Sequence, residues 1–104
     1  MEIVFHAHHA VISDRMRTRV ERAIEKLAHR LRRTVTAVVR FEQDGPTRRV
    51  EILLQTPRQP DLVAEGRSRY YGPALNESVE KLRRQIARRK RTVLRRTRKP
   101  ARAL

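Results

Sequence analysis

Twelve Lys and Arg residues and no acid lie between Lys81 and the end of the chain. Lys81, Arg84, Arg88 and Arg91 follow at steps of three and four. A helix would carry them along one ridge about 15 Å long, at roughly 1.5 Å per residue. Lys90 belongs to the same basic run. A charged row of this kind is ordinarily a solvated helix face. Here it has one sign only, and like charges three and four apart oppose helix formation. A row that disfavours its own helix points to a polyanionic partner, and Arg in particular suits phosphate oxygens.

Other constellations offer less. His6, His8 and His9 cluster, and His6 and His8 would share a strand face, but no Cys or nearby carboxylate completes a metal site. No metal or other cofactor is therefore expected. Ser13, Asp14 and His9 have the composition of a hydrolytic triad, yet Ser13 is better placed as a helix cap. No carboxylate cluster suited to Mg²⁺ is visible, so no nuclease chemistry is expected. Gly45, Gly66 and Gly72 form no phosphate-cradling loop. Tyr70 and Tyr71 are candidates to stack on an RNA base, with packing at the sheet edge as the plainer alternative.

The whole composition agrees with the ridge. The 104 residues hold 26 Lys plus Arg against 11 Asp plus Glu, a formal net charge of +15. Self-repulsion at that density favours a polyanion as partner, nucleic acid ahead of an anionic membrane surface. With four aromatic residues in all, backbone and shape contacts to structured RNA are a better reading than base-by-base readout. A sequence-reading DNA helix with Asn and Gln base readers is not evident. The chain has no cysteine, which suits a reducing compartment. Its start lacks the pattern of a signal peptide, and no stretch approaches the roughly 20 apolar residues of a membrane span.

Six elements must position these residues. Residues 2–8 read as a strand. Ser13 caps a helix over about 13–33, with Met16, Val20, Ala23, Ile24, Leu27 and Leu31 as its apolar stripe and Arg15, Arg17, Arg19, Arg22, Lys26, Arg30 and Arg33 on the other side. Residues 34–42 and 48–56 alternate as strands around the Asp44-Gly45-Pro46 turn, although Leu53 interrupts the polar face of the second. A fourth strand covers 61–67. Pro73 opens a second helix over about 74–95, with Leu75, Val79, Leu82, Ile86 and Val93 as its stripe. The order β-α-β-β-β-α, with runs of antiparallel strands, predicts an α+β fold: a four-stranded sheet with both helices packed on one face. Residues 1–95 form one domain in this reading, and 96–104 a basic, flexible tail. Lys26, Arg30 and Arg33 would extend the Lys81–Arg91 ridge into one patch.

Two stretches carry a family resemblance. The first is His8-His9, then Ile12-Ser13-Asp14 and a helix opening with Met16-Arg17. The second is Ala64-Glu65-Gly66, a Tyr, Ala74-Leu75-Asn76, Val79-Glu80-Lys81-Leu82, Arg84-Gln85-Ile86 and Arg88-Arg89-Lys90. Over about residues 1–95 the chain resembles the short ribosome hibernation-promoting factors and ribosome-associated translation inhibitors of bacteria. The resemblance implies the same element order. It also implies cytoplasmic binding to 16S rRNA of the small ribosomal subunit, near the channel of messenger and transfer RNA, with translation blocked and ribosomes stored in stationary phase or stress. It implies rRNA contact for Lys26, Lys81, Arg84, Arg88 and Lys90, and no catalytic residue. As a short form, the protein would rely on a separate factor to dimerise ribosomes. The chain departs from the family at Ala7, Val11 and Asn76, and in a Tyr70–Pro73 link about two residues longer. The alternative from charge alone is a nonspecific nucleic-acid-binding architectural protein.

Overall fold

Alternation of apolar and polar residues builds a four-stranded sheet from β1 (Glu2–His8), β2 (Thr36–Asp44), β3 (Thr47–Gln55) and β4 (Leu62–Ser68), in the spatial order β1-β2-β3-β4. The computed structural model describes residues 1–31 and 35–102, with side chains as far as Arg91. α1 (Asp14–Leu31) joins β1 to β2, and α2 (Tyr71–Arg102) follows β4. The fold is the predicted α+β arrangement. β1 and β2 pair in parallel, while β2–β3 and β3–β4 are antiparallel. The crossover helix is the reason: parallel neighbours need such a connection, whereas the antiparallel pairs need only turns.

One face of the sheet is the core. Val35, Ala37, Val39 and Phe41, with Val50, Ile52, Leu54, Leu62 and Ala64, are buried beneath Val20, Ile24 and Leu27 of α1 and Ala74, Leu75, Leu82 and Ile86 of α2. The other face is open. There Leu53 stands between Val38 and Val63, and Val38 beside Val4. The residue that interrupted the alternation thus belongs to an apolar row crossing all four strands, where cross-strand neighbours support it.

Local chemistry sets the ends. The Ser13 hydroxyl accepts from the Met16 N–H at 3.1 Å, the expected cap. Gly45 has φ +57° at the first position of a two-residue turn, a conformation that an L side chain resists. Gly66 lets β4 press on α2: a Cβ there would lie 2.0 Å from the Ala74 carbonyl oxygen. α2 begins three residues earlier than predicted, with Pro73 inside a first turn that has no use for its missing N–H. It continues to Arg102, past the predicted end near 95; residues 91–99 hold no helix breaker, and Pro100 falls only in its final turn. Arg33 lies outside the described residues, as does the side chain of Val93.

Because β1, β2 and β4 point the same way, each helix runs back from the end of its strand. α1 and α2 therefore lie parallel, in contact, on one side of the sheet. Among the described residues, no helix is long and apolar enough to cross a membrane.

Candidate nucleic-acid interface

The apolar stripes turn inward, so the basic residues of both helices are left on the outer side. Between the helices runs a groove of about 710 Å³. Arg15, Arg19, Arg22, Lys26 and Arg30 of α1 line one wall, Arg83 of α2 the other, over a floor of Ala23, Leu27 and Val79. Among the described residues, no acidic one lines it. Arg19 ties the helices together by donating to the Asn76 side-chain oxygen at 2.9 Å. Asn76 stands where the resemblance leads one to expect an acid, and as an amide it leaves this wall more positive.

Lys81, Arg84 and Arg88 project from the other flank of α2. With Gln85 they border a second depression against β4, beside Val63, Ala64 and Glu65. Lys90 and Arg91 are exposed further along the helix. The structure therefore does not merge the predicted residues into one patch. Lys26 and Arg30 belong to the groove, whereas Lys81, Arg84 and Arg88 form a separate flank, because the α2 core stripe carries Arg83 toward α1 and Lys81 toward β4. Sequence reading selected Lys26 and Arg30 but missed Arg15, Arg19, Arg22 and Arg83 as site residues. The signal was present: 15, 19, 22, 26 and 30 recur at steps of four, three, four and four, as regularly as the α2 ridge.

Several of the α2 cations are engaged by the fold itself, Arg83 and Arg84 among them through Glu80 at 3.3 and 3.9 Å. Lys81 Nζ donates to the Glu65 carbonyl at 2.8 Å and pairs with Glu77 at 3.0 Å. Gln85 donates to the Val63 carbonyl at 2.9 Å. Together they occupy outward carbonyls of β4 and blunt an edge strand that would otherwise invite pairing. The Lys81 ammonium beside Glu77 holds that carboxyl below the usual range. Arg89 fastens the β3–β4 connection, donating to the Gln59 side chain at 2.8 Å, to the Thr56 hydroxyl at 3.2 Å and to the Pro60 carbonyl.

The open sheet face has the opposite character. Arg49 is surrounded by Glu65 at 2.5 Å, Glu51 at 2.6 Å and Glu42 at 3.4 Å. Glu51 also reaches Arg40 at 3.9 Å, and Glu65 reaches Arg67 at 3.3 Å. Partial burial opposes the Arg49 charge, but its bonds to Glu65 and Glu51 outweigh that and raise its pKa. The hydrogen bond from Arg49 in turn holds the Glu65 carboxyl below its ordinary value. His6 and His8 are exposed on this same face, and no group of three or more His, Cys, Asp or Glu that could hold a metal occurs among the described residues.

The two tyrosines divide. Tyr71 packs edge-on against Phe41 with centroids 5.5 Å apart, and burial pushes its hydroxyl pKa up. Tyr70 is 66% exposed. The Arg48 guanidinium lies over both rings, at 6.0 Å from Tyr70 and 5.5 Å from Tyr71.

Comparison with known proteins places this architecture. The structure is similar to the crystal structure of the Thermus thermophilus Protein Y N-terminal domain, with a TM-score of 0.76 and 24% identity over 85% of this chain and 98% of that one. It is also similar to a ribosomal subunit interface protein from Coxiella burnetii, with a TM-score of 0.71 and 17% identity over 86% of this chain and 98% of that one. At these identities the likeness speaks for the fold. No curated protein matches the sequence. The family described as Sigma 54 modulation protein / S30EA ribosomal protein matches residues 3–93, nearly all of the domain whose motifs resembled the hibernation factors, and the chain belongs to that family.

Proposed function

We propose that the protein is a ribosome hibernation factor acting in the bacterial cytoplasm. In this reading it binds the small ribosomal subunit through 16S rRNA and occupies the channel of messenger and transfer RNA. Translation stops by occupancy, no bond is made or broken, and idle ribosomes are stored in stationary phase or stress. Family membership supports the ribosomal address, as does the name of the ribosomal subunit interface protein from Coxiella burnetii. The observation that carries the reading is the one-sided charge. The helical layer offers an acid-free groove with basic walls, while acids gather around Arg49 on the opposite face. A protein built this way meets a polyanion with one side only. Lys26 and Arg30 in the groove and Lys81, Arg84, Arg88, Lys90 and Arg91 on α2 are the proposed rRNA contacts, with Arg15, Arg19, Arg22 and Arg83 added. Lys81 is the weakest of these, because its ammonium is shared with Glu65 and Glu77.

Cosedimentation with purified ribosomes and separated subunits tests the reading. Stoichiometric association with the small subunit is expected, resistant to competitor RNA and weakened by salt as phosphate contacts dictate. Equal association with any RNA or duplex DNA, lost to competitor, would establish the nonspecific architectural alternative instead.

A further inference from the structure

A third cavity, of about 630 Å³, opens where the parallel helices begin. The β1–α1 connection forms one wall through Ala10, Val11 and Ile12, joined by Met16 of α1. Tyr70, Tyr71 and Arg48 form the other. The lining is mainly apolar, with cationic and polar groups at its margin. Three features set it apart from a packing defect. The Tyr71 hydroxyl is buried and has no hydrogen-bond partner among the described residues. Such a group ordinarily finds one. Tyr70 is 66% exposed and Val11 94% exposed, so large apolar surface is left open beside it. Arg48 donates to the Arg69 carbonyl and lies over both tyrosine rings, which holds a guanidinium at the cleft. A guanidinium has five N–H donors, so that one bond does not exhaust it.

The cleft also adjoins the basic groove. Arg19 lines the groove, Gly72 lines the cleft, and a Cβ on Gly72 would lie 2.9 Å from the Arg19 guanidinium. A strand whose phosphates follow the groove would arrive at the cleft. An apolar slot of this size with an exposed ring, an unpaired hydroxyl and a cation suits a flat aromatic ring with a polar edge and an attached anion. We propose that the cleft seats one unpaired nucleotide, its base stacked on Tyr70, its edge meeting the Tyr71 hydroxyl and its phosphate near Arg48. This rests on the RNA-binding reading and adds to it a preference for RNA with an extruded base. Stacking on an aromatic side chain is tolerant of base identity, so the preference is for an unpaired base rather than for a particular one.

The chain has two tyrosines and no tryptophan, so tyrosine emission reports on this cleft alone. The test compares two RNA hairpins of equal length and charge, one fully paired and one with a single extruded nucleotide. Affinity is read by anisotropy of labelled RNA, and cleft occupancy by absorbance-corrected tyrosine emission. The extruded hairpin is expected to bind about tenfold more tightly than the paired one and to change tyrosine emission. Tyr70→Ala should bring it down to the paired level without altering paired binding, and Tyr70→Trp should restore the preference. Because Tyr70 is exposed, neither substitution disturbs the core. A free 5′-mononucleotide arm separates sources. A change in emission with mononucleotide but not with extruded RNA would assign the seat to free nucleotides and overturn RNA as its ligand. If both hairpins bind equally without an emission change, the nucleotide seat falls and RNA binding stands. If neither hairpin binds while the small subunit is bound, the nucleotide seat falls and the small-subunit reading stands; if the small subunit is not bound either, that reading itself falls.

Discussion

The helical layer and the open sheet face are both rich in arginine, yet they use it in opposite ways. On the sheet, Arg49 sits among Glu42, Glu51 and Glu65, and Arg40 and Arg67 share those same acids. On the helices, Arg15, Arg19, Arg22, Lys26 and Arg30 face Arg83 across a groove with no acid in it. A guanidinium in the first setting has its counterions within the fold. In the second, Arg83 has Glu80 at 3.3 Å outside the groove, while the α1 cations are lined up for counterions from outside. The difference teaches that a net charge of +15 is not spread evenly. Cross-strand register gathers acids against bases on the sheet, while spacing along α1 lines up bases with bases, and α2 mixes the two through Glu77 beside Lys81 and Glu80 beside Arg83 and Arg84.

The strongest way to break this comparison is in the groove. Arg22→Glu with Lys26→Glu should weaken ribosome association on the order of a hundredfold, through lost phosphate contacts and new repulsion. The fold should survive, since both residues lie outside the core. Filter binding with circular dichroism as a control would check this, and near-normal binding would remove the groove from the interface. Next in size is the core that holds the two faces apart. Leu82→Ala, at a fully buried position, should cost about 2–5 kcal/mol in denaturant unfolding. A cost below about 1 kcal/mol would show that α2 is not seated as described.

Smaller effects sharpen the comparison. Ser13→Ala removes the α1 cap and should cost about 1 kcal/mol, measurable as a lower melting temperature with the groove chemistry intact. The sheet cluster should show itself through pH. Because Arg49 depresses the folded-state pKa of Glu65, the pair's contribution is present above the ordinary Glu value of 4.5. It is lost as pH falls through the lowered folded value. Glu65→Gln should flatten that acid-side decline slightly, the carboxylate being over a third exposed. An unchanged pH profile would mean that the cluster is only a surface coincidence.

Much of this was legible in the sequence. The Ser13 cap, the alternating β2 and β3 and the stripe Leu75, Leu82, Ile86 follow from local periodicity, which each residue carries by itself. The parallel pairing of β1 with β2 does not, because it depends on where a crossover returns the chain. Leu53 was unaccountable until register placed Val38 and Val63 beside it. The candidate site was half legible for the same reason. Helical spacing displayed the ridge at Lys81, Arg84 and Arg88, but only packing decides that Arg83 faces α1 while Lys81 turns to the β4 edge. Tyr70 and Tyr71, adjacent in sequence, end in different environments because one ring meets Phe41 and the other does not.

The central claim is that the helical layer, and not the sheet, meets the ribosome, and a matched pair of variants tests it most directly. Arg84→Glu with Arg88→Glu alters α2; Arg40→Glu with Arg67→Glu makes the same change of charge on the sheet face. Cosedimentation of each with the small subunit at one ionic strength is the measurement. The account predicts that the first variant, still folded, stays in the supernatant and that the second pellets like the wild type. Equal loss in both would reduce the interaction to net charge, and retention of the first with loss of the second would place the interface on the wrong side of the molecule.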